Sequence, residues 1–374
     1  MANAKIAKKD YALYLIISPT IFVTIVSILL MNLHFPTDMI LHLTVNSFDF
    51  TLGNIEYPQQ ITNQIIVNSI TIDHFDEISL NPTQFEMADP GQYRFVDDSF
   101  PDAAWTSIPA GLGGVRIIHS DPTAPYDLTI EGTEPMTLDR IWVTSGAKVT
   151  LAKRGSKTNK LSVAINGHES KLVLTPPEKF EIITTNCRIK GIKNMPGKPD
   201  SMTYRARLPD QSPLITITSN KVKPYSLFIN LEISAKQNLN QVFARKKIPV
   251  EMISFSKQDS MGNLESTLLE PKDATVSYPG YPQIENKIIG YSELLSLRSL
   301  RNFYIEKIYL DSGSDGIVLS LRGVAGKARA GKTELQLTCF QSLWYNRQLT
   351  ALFGIITWIL PTSVGIYKFL KRKS

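Results

Sequence analysis

Two cysteines in 374 residues exclude a disulfide-stapled scaffold, whose signature is a dense cysteine framework. Cys187 and Cys339 can pair across a long loop in an oxidising compartment, or stand as two buried thiols. Spacing alone does not choose between these. The five histidines His34, His42, His74, His119 and His168 are scattered, none at metal-ligand spacing from another His or Cys. No Gly-x-Ser-x-Gly elbow is present, and Ser, His and Asp are too dispersed to nominate a triad. Asn-x-Ser/Thr sequons are also lacking, since Asn81 precedes Pro82. That absence weakly favours a bacterial or organellar membrane over a eukaryotic secretory one. The sequence therefore reads as non-enzymatic, with no cofactor and no metal.

What the chain does have is two long apolar stretches. Tyr11–Leu33 carries no charged residue, and a helix of that length crosses a bilayer core of about 30 Å. It is too long for the apolar core of a signal peptide, and Met31, Asn32, Leu33 and His34 offer no small-x-small cleavage site. Leu349–Tyr367 is the second stretch, placing a span over residues 348–367. Lys5, Lys8 and Lys9 precede the first span; Lys368, Lys371, Arg372 and Lys373 follow the second. The positive-inside rule puts both ends in the cytoplasm and the large middle outside, although Lys327, Arg329, Lys332 and Arg347 crowd the outer side of the second span. The expected location is a bacterial-type inner membrane (plasma or thylakoid). Thr20, Thr24 and Ser27 share one face of the first helix; Thr350, Gly354, Thr357, Pro361 and Gly365 share one face of the second. Small residues on one face permit close helix packing in lipid, with chance scatter as the plain alternative. Pro19 between Ser18 and Thr20 adds a bend.

The net charge of +6 belongs to the two tails, so it does not indicate nucleic acid. Between them the charge is steeply divided. Residues 34–147 hold 3 Lys/Arg against 16 Asp/Glu, residues 148–250 hold 19 against 6, and residues 251–347 hold 11 of each. Such blocks attract one another within one molecule or head to tail between neighbours. The basic block can also meet anionic headgroups or an acidic polymer. It has few interleaved aromatics, unlike a single-strand nucleic-acid channel.

The middle alternates with period two. Leu41, Leu43 and Val45, then Phe48, Phe50 and Leu52, form a strand with a slip between them. ITNQIIVNSITI (61–72) follows, then an irregular stretch from Asn81 to Gly114 punctuated by Pro and Gly. Short strands resume at 115–119, 126–130, 138–143, 147–153, 161–165, 171–175 and 180–185, with Ser145-Gly146 and Asn166-Gly167 as turn chemistry. Gly191–Pro213 reads as a Pro/Gly linker between a domain over 34–190 and a second β-rich part over 214–347. The segment 284–303, with Leu294, Leu295, Leu297 and Leu300, reads as the one soluble helix. These patterns predict a β-sandwich or jelly-roll-like body; no fixed-period repeat supports a solenoid.

Two motifs need weighing. Gly326–Thr333 matches GxxxxGKT, but a phosphate loop needs a strand before it and a helix after it. ELQLTCF (334–340) alternates like another strand, so the match reads as a basic hairpin near the membrane, with no nucleotide bound. His74, Asp76 and Glu77 form the densest polar cluster, which solvated charges at a strand end explain more simply than a Ca²⁺ or hydrolytic site. The function expected is a membrane-anchored structural or accessory subunit, self-assembling or binding a membrane-protein partner. A lipid- or glycan-binding module is the alternative, and an envelope hydrolase a minor one.

Overall fold

The computed structural model describes residues 25–26, 28–88, 105–108, 114–121, 123–154, 159–167, 169–190, 201–209, 214–219, 226–234, 240–244, 247–269, 274–290, 293–311 and 316–345. About two thirds of these lie in strands, and the ladders joining them are antiparallel. Alternating residues face inward, as in Phe48, Phe50 and Leu52 of Ser47–Leu52 or Leu161, Val163 and Ile165 of Lys160–Asn166. They feed one continuous apolar core.

The ladders close on themselves twice. In the first lobe, Ser170–Thr175 bonds to Ile215–Ser219, which bonds in turn to Glu77–Leu80 and on to Val115–His119. Val115–His119 then bonds to Cys187–Ile189, which lies further along the run of chain that began at Ser170. In the second lobe the circuit passes from Ile248–Ser254 through Ser47–Leu52, Lys148–Arg154, Lys160–Asn166 and Ser226–Ile233 to Ile65–Asp73. It is completed where the Asn63 N–H donates to the carbonyl of Phe243, 2.6 Å away, on the strand leading back to Ile248. Closure removes exposed strand edges.

The 17-residue strand Asp127–Val143 joins the lobes. One edge bonds to Ile65–Asp73, the other to Ser170–Thr175 and Lys179–Thr185. Outside the second lobe lies a long ribbon, Leu295–Asp311 against Ile317–Ala330, followed by Thr37–Val45 and Thr275–Ser277.

Several expectations are corrected. The segment read as a helix holds the short strand Lys287–Ile288 and then the strand Leu295–Asp311. Residues 126–130 and 138–143, read as two strands, belong to one. Ser201–Arg207, inside the stretch read as a linker, is a strand between Lys179–Thr185 and Gln84–Ala88. Gln84–Ala88 and Trp105–Ser107 are strands within the stretch read as irregular. Cys187 and Cys339, left open between a bridge and two thiols, stand as free thiols, the first buried and the second half-buried.

The opposed charge blocks are zipped together inside one chain. Strands at 47–52, 65–73, 77–80, 84–88, 115–119 and 127–143 all take partners from the basic block. Asp49 meets Lys148 at 3.0 Å, and Glu77 meets Lys190 at 3.6 Å.

The apolar stretches fall mostly outside the described residues. Thr20, Thr24, Ser27, Thr350, Gly354, Thr357, Pro361 and Gly365 all do, as do Lys5, Lys8, Lys9, Lys368, Lys371, Arg372 and Lys373. Among the described residues no helix is long and apolar enough to cross a membrane.

Candidate functional site

The two ends of the body are knitted into one another. Phe35 N–H donates to the Leu337 carbonyl, and Cys339 N–H donates to the Leu33 carbonyl at 2.8 Å. His34 and Thr338 form a β-bridge. Gln336 locks the junction: its buried side-chain amide donates to the carbonyls of Phe35 and Gly326. The Tyr278 hydroxyl donates to the Leu335 carbonyl, and the Tyr281 hydroxyl meets that of Ser342 at 2.7 Å. Burial pushes the Tyr278 phenol well above its ordinary range. Lys287 donates to the carbonyls of Glu334 and Gln336, and burial pulls its ammonium pKa below the usual value.

Short helical segments flank the junction. Residues 25–26 and 28–32 are helical, and Ile25, Ile28, Leu29, Met31 and Leu33 are each about half exposed. Apolar side chains therefore make up most of the open surface here, with Asn32 the exposed polar residue among the described helical ones. On the other strand end, Cys339–Tyr345 is a helix with Phe340 and Trp344 stacked and Trp344 exposed.

Beside the junction runs the 295–330 ribbon. Its inward positions are Leu295, Leu297, Ala328 and Ala330; its outward positions carry cations. Arg298 stands directly across from Lys327, and Arg329 across from Ser296. Arg301 and Arg322 continue the outward row, with Tyr304 opposite Arg322. The sequence pattern did not group these residues, because Arg298 and Arg301 lay in the supposed helix. Alternation through 295–298 was the available signal.

The phosphate-loop match sits on the end of this ribbon. Gly326 to Ala330 are strand, Gly331 and Lys332 are the turn, and Thr333–Glu334 return as a short strand. The hairpin is formed, but of the run 334–340, read as its second strand, only Glu334 is strand and a helix begins at Cys339. The motif's backbone N–H groups are not gathered at a helix start, which is the geometry that cradles phosphate.

The polar cluster at His74 lies at the far lobe's closing seam. His74 has φ of 60° and packs edge-on against Phe228, with ring centres 5.2 Å apart. Tyr126 lies between His74 and His119, at 5.8 and 5.2 Å. Burial pushes the Tyr126 phenol up to about 12, and the charges of Asp76 and Cys187 add to it. Glu77 pairs with Arg116 and Lys190, both at 3.6 Å. Asp76 is buried and its N–H donates to Thr218. The structure thus brings His119, Tyr126 and Cys187 to the residues singled out from sequence, in an arrangement of ring packing and ion pairs. Among the described residues no group of three His, Cys, Asp or Glu side chains is placed to hold a metal.

Of the two regions, the joined ends with their basic ribbon form the better candidate, since apolar and cationic surface lies open to a partner there. Compared with family models, curated proteins and solved structures, the chain matches none.

Proposed function

We propose that this chain is a non-enzymatic, membrane-held subunit that presents its two-lobed β body outside a bacterial-type inner membrane and assembles with itself or a membrane-protein partner. The observation that carries this reading is the ladder between residues 33–37 and 325–339. It bonds the residues that follow the first apolar stretch to those that precede the second, and a helix pair entering one bilayer needs its two attachment points adjacent. The exposure of Ile25, Ile28, Leu29, Met31 and Leu33 together supports it, because water penalises a contiguous apolar surface and lipid does not. Trp344 and Tyr345 suit the headgroup level, where aromatic belts sit.

The pairing of acidic and basic blocks within one chain satisfies the attraction that would otherwise favour head-to-tail stacking. Assembly then falls to the helix faces around Thr20 and Gly354. Core side chains fill the lobes, among them the fully buried Ile70, Leu128, Ile182 and Leu231. A lipid- or glycan-carrying barrel is accordingly less well supported.

Light scattering of the full-length protein in detergent, at low and high salt, tests this. A defined oligomer that is indifferent to salt is expected. An oligomer that dissolves with salt assigns assembly to charge instead, and extraction of the protein from membranes by alkaline carbonate refutes the anchored reading.

A further inference from the structure

We propose that the outward face of the Leu295–Asp311/Ile317–Ala330 ribbon docks on the anionic phospholipid headgroups of the leaflet its apolar stretches enter. This rests on the membrane reading above and names the surface that reading leaves unassigned.

The first argument is unbalanced charge. Like charges directly opposite on adjacent strands repel, and Arg298 faces Lys327 across the ladder. Arg301, Arg322, Arg329 and Lys332 extend the row, and all six side chains are exposed. Glu334 lies 3.8 Å from Arg329. Among the described residues no carboxylate lies within ion-pair distance of the other five. An anionic surface supplied from outside the chain would relieve that repulsion.

The second argument is position. After the turn at Gly331, the chain runs back along the ribbon's edge and joins residues 33–35. Leu335 N–H bonds to the Ala328 carbonyl and the Gln336 amide to that of Gly326. Lys327 therefore sits between the two carbonyls that hold the exit strand. In the membrane reading this brings the cationic row to the headgroup level. It also accounts for Lys327, Arg329 and Lys332, whose place outside the second stretch the positive-inside rule does not explain.

The third argument is shape. An extended two-stranded face offers cations at rung spacing rather than a cradle of N–H groups. It suits many phosphodiesters spread over a plane better than one nucleotide. Each basic residue near an anionic membrane surface is worth about fivefold in binding.

The test reconstitutes the full chain in nanodiscs of phosphatidylcholine, alone or mixed with phosphatidylglycerol, and follows lysine acylation by mass spectrometry. Lys160 and Lys171, exposed on the lobes, are internal references. In the anionic discs at low salt, Lys327 and Lys332 should label about fivefold more slowly than in neutral discs, and high salt should abolish the difference. The variant R298Q/R301Q should reduce that protection. Equal labelling in both lipids overturns the proposal. So does protection independent of lipid charge, which would indicate a protein covering the face. A chain that elutes apart from the discs instead refutes the anchored reading itself.

Discussion

Replacing Gly323 by alanine tests the ribbon's geometry most directly. Gly323 lies mid-strand at φ of 153°, opposite a bulge where Asn302 (φ of 48°) and Phe303 together face one residue. A Cβ placed there meets the Asn302 carbonyl oxygen and the Phe303 Cα, each at 2.5 Å. Both are backbone atoms, so no flexible side chain can yield. Overpacking of this kind costs about 1–3 kcal/mol, and a left-handed-type backbone on a non-glycine residue adds about 1–2 kcal/mol. Together these predict about 2–5 kcal/mol, or a melting point lowered by about 4–10 °C for a body of this size. The control is Gly167→Ala. Gly167 has φ of 93° but nothing within 4 Å of the added methyl, so it carries the conformational part alone. Thermal unfolding of both variants in detergent, followed by circular dichroism, separates the two contributions. Equal melting points for the two variants would show that the bulge does not crowd Gly323, and the ribbon's register would have to be redrawn.

Alkaline pH should unfold the body earlier than phenol chemistry alone requires. Burial holds Tyr126 and Tyr204 up to about 12, against an ordinary 10.0. As pH rises, the unfolded chain loses these protons first, so stability is full below about pH 10 and falls between about 10 and 12. Urea midpoints taken across that window should drop, and less so in Y126F/Y204F; a flat profile counts against the burial of both rings. The Asp49–Lys148 pair, at 3.0 Å but largely exposed on the lysine side, should show a double-mutant coupling of about 0.5 kcal/mol that shrinks with salt. A coupling of several kcal/mol would mean that the zipped charge blocks are far less hydrated than their exposure indicates.

Period-two alternation made the strands legible. Val115–His119, Lys160–Asn166 and Lys179–Thr185 fall where inward Val, Ile, Leu and Phe predicted them, to within a residue. The slip between Val45 and Phe48 is also real. At Asn46 the chain leaves its ladder with Ile317–Ala325 and turns to Lys148–Arg154. The supposed helix failed for an instructive reason. Ser299 and Asn302 take positive φ and each interrupts the in-out alternation, although only at the second does the ladder shift register. Leu297, Leu300 and Phe303 thus recur every third residue, which imitates a helical face. Asp127–Val143 looked like two strands because Thr133 and Glu134 face water at its bend. Which strand pairs with which was not legible, because ladders join residues far apart in sequence. The same is true of the candidate surface, whose cations come from two strands. The joined ends had no sequence signal beyond the two apolar stretches themselves.

Those joined ends govern the order in which the body can form. Among the described residues Thr37–Val45 is the first strand to be synthesised, yet its partners are Thr275–Ser277 and Ile317–Ala325. At about 5–20 residues per second it waits roughly 15–60 s for its final neighbour. Until Thr275–Ser277 emerges both its edges are open, and Met39, Leu41 and Leu43 have no partner strand on either side. Contacts of such long sequence separation form slowly. Newborn Thr37–Val45 is therefore the segment most exposed to wrong pairing, and the arrival of Ile317–Ala330 decides whether it is rescued.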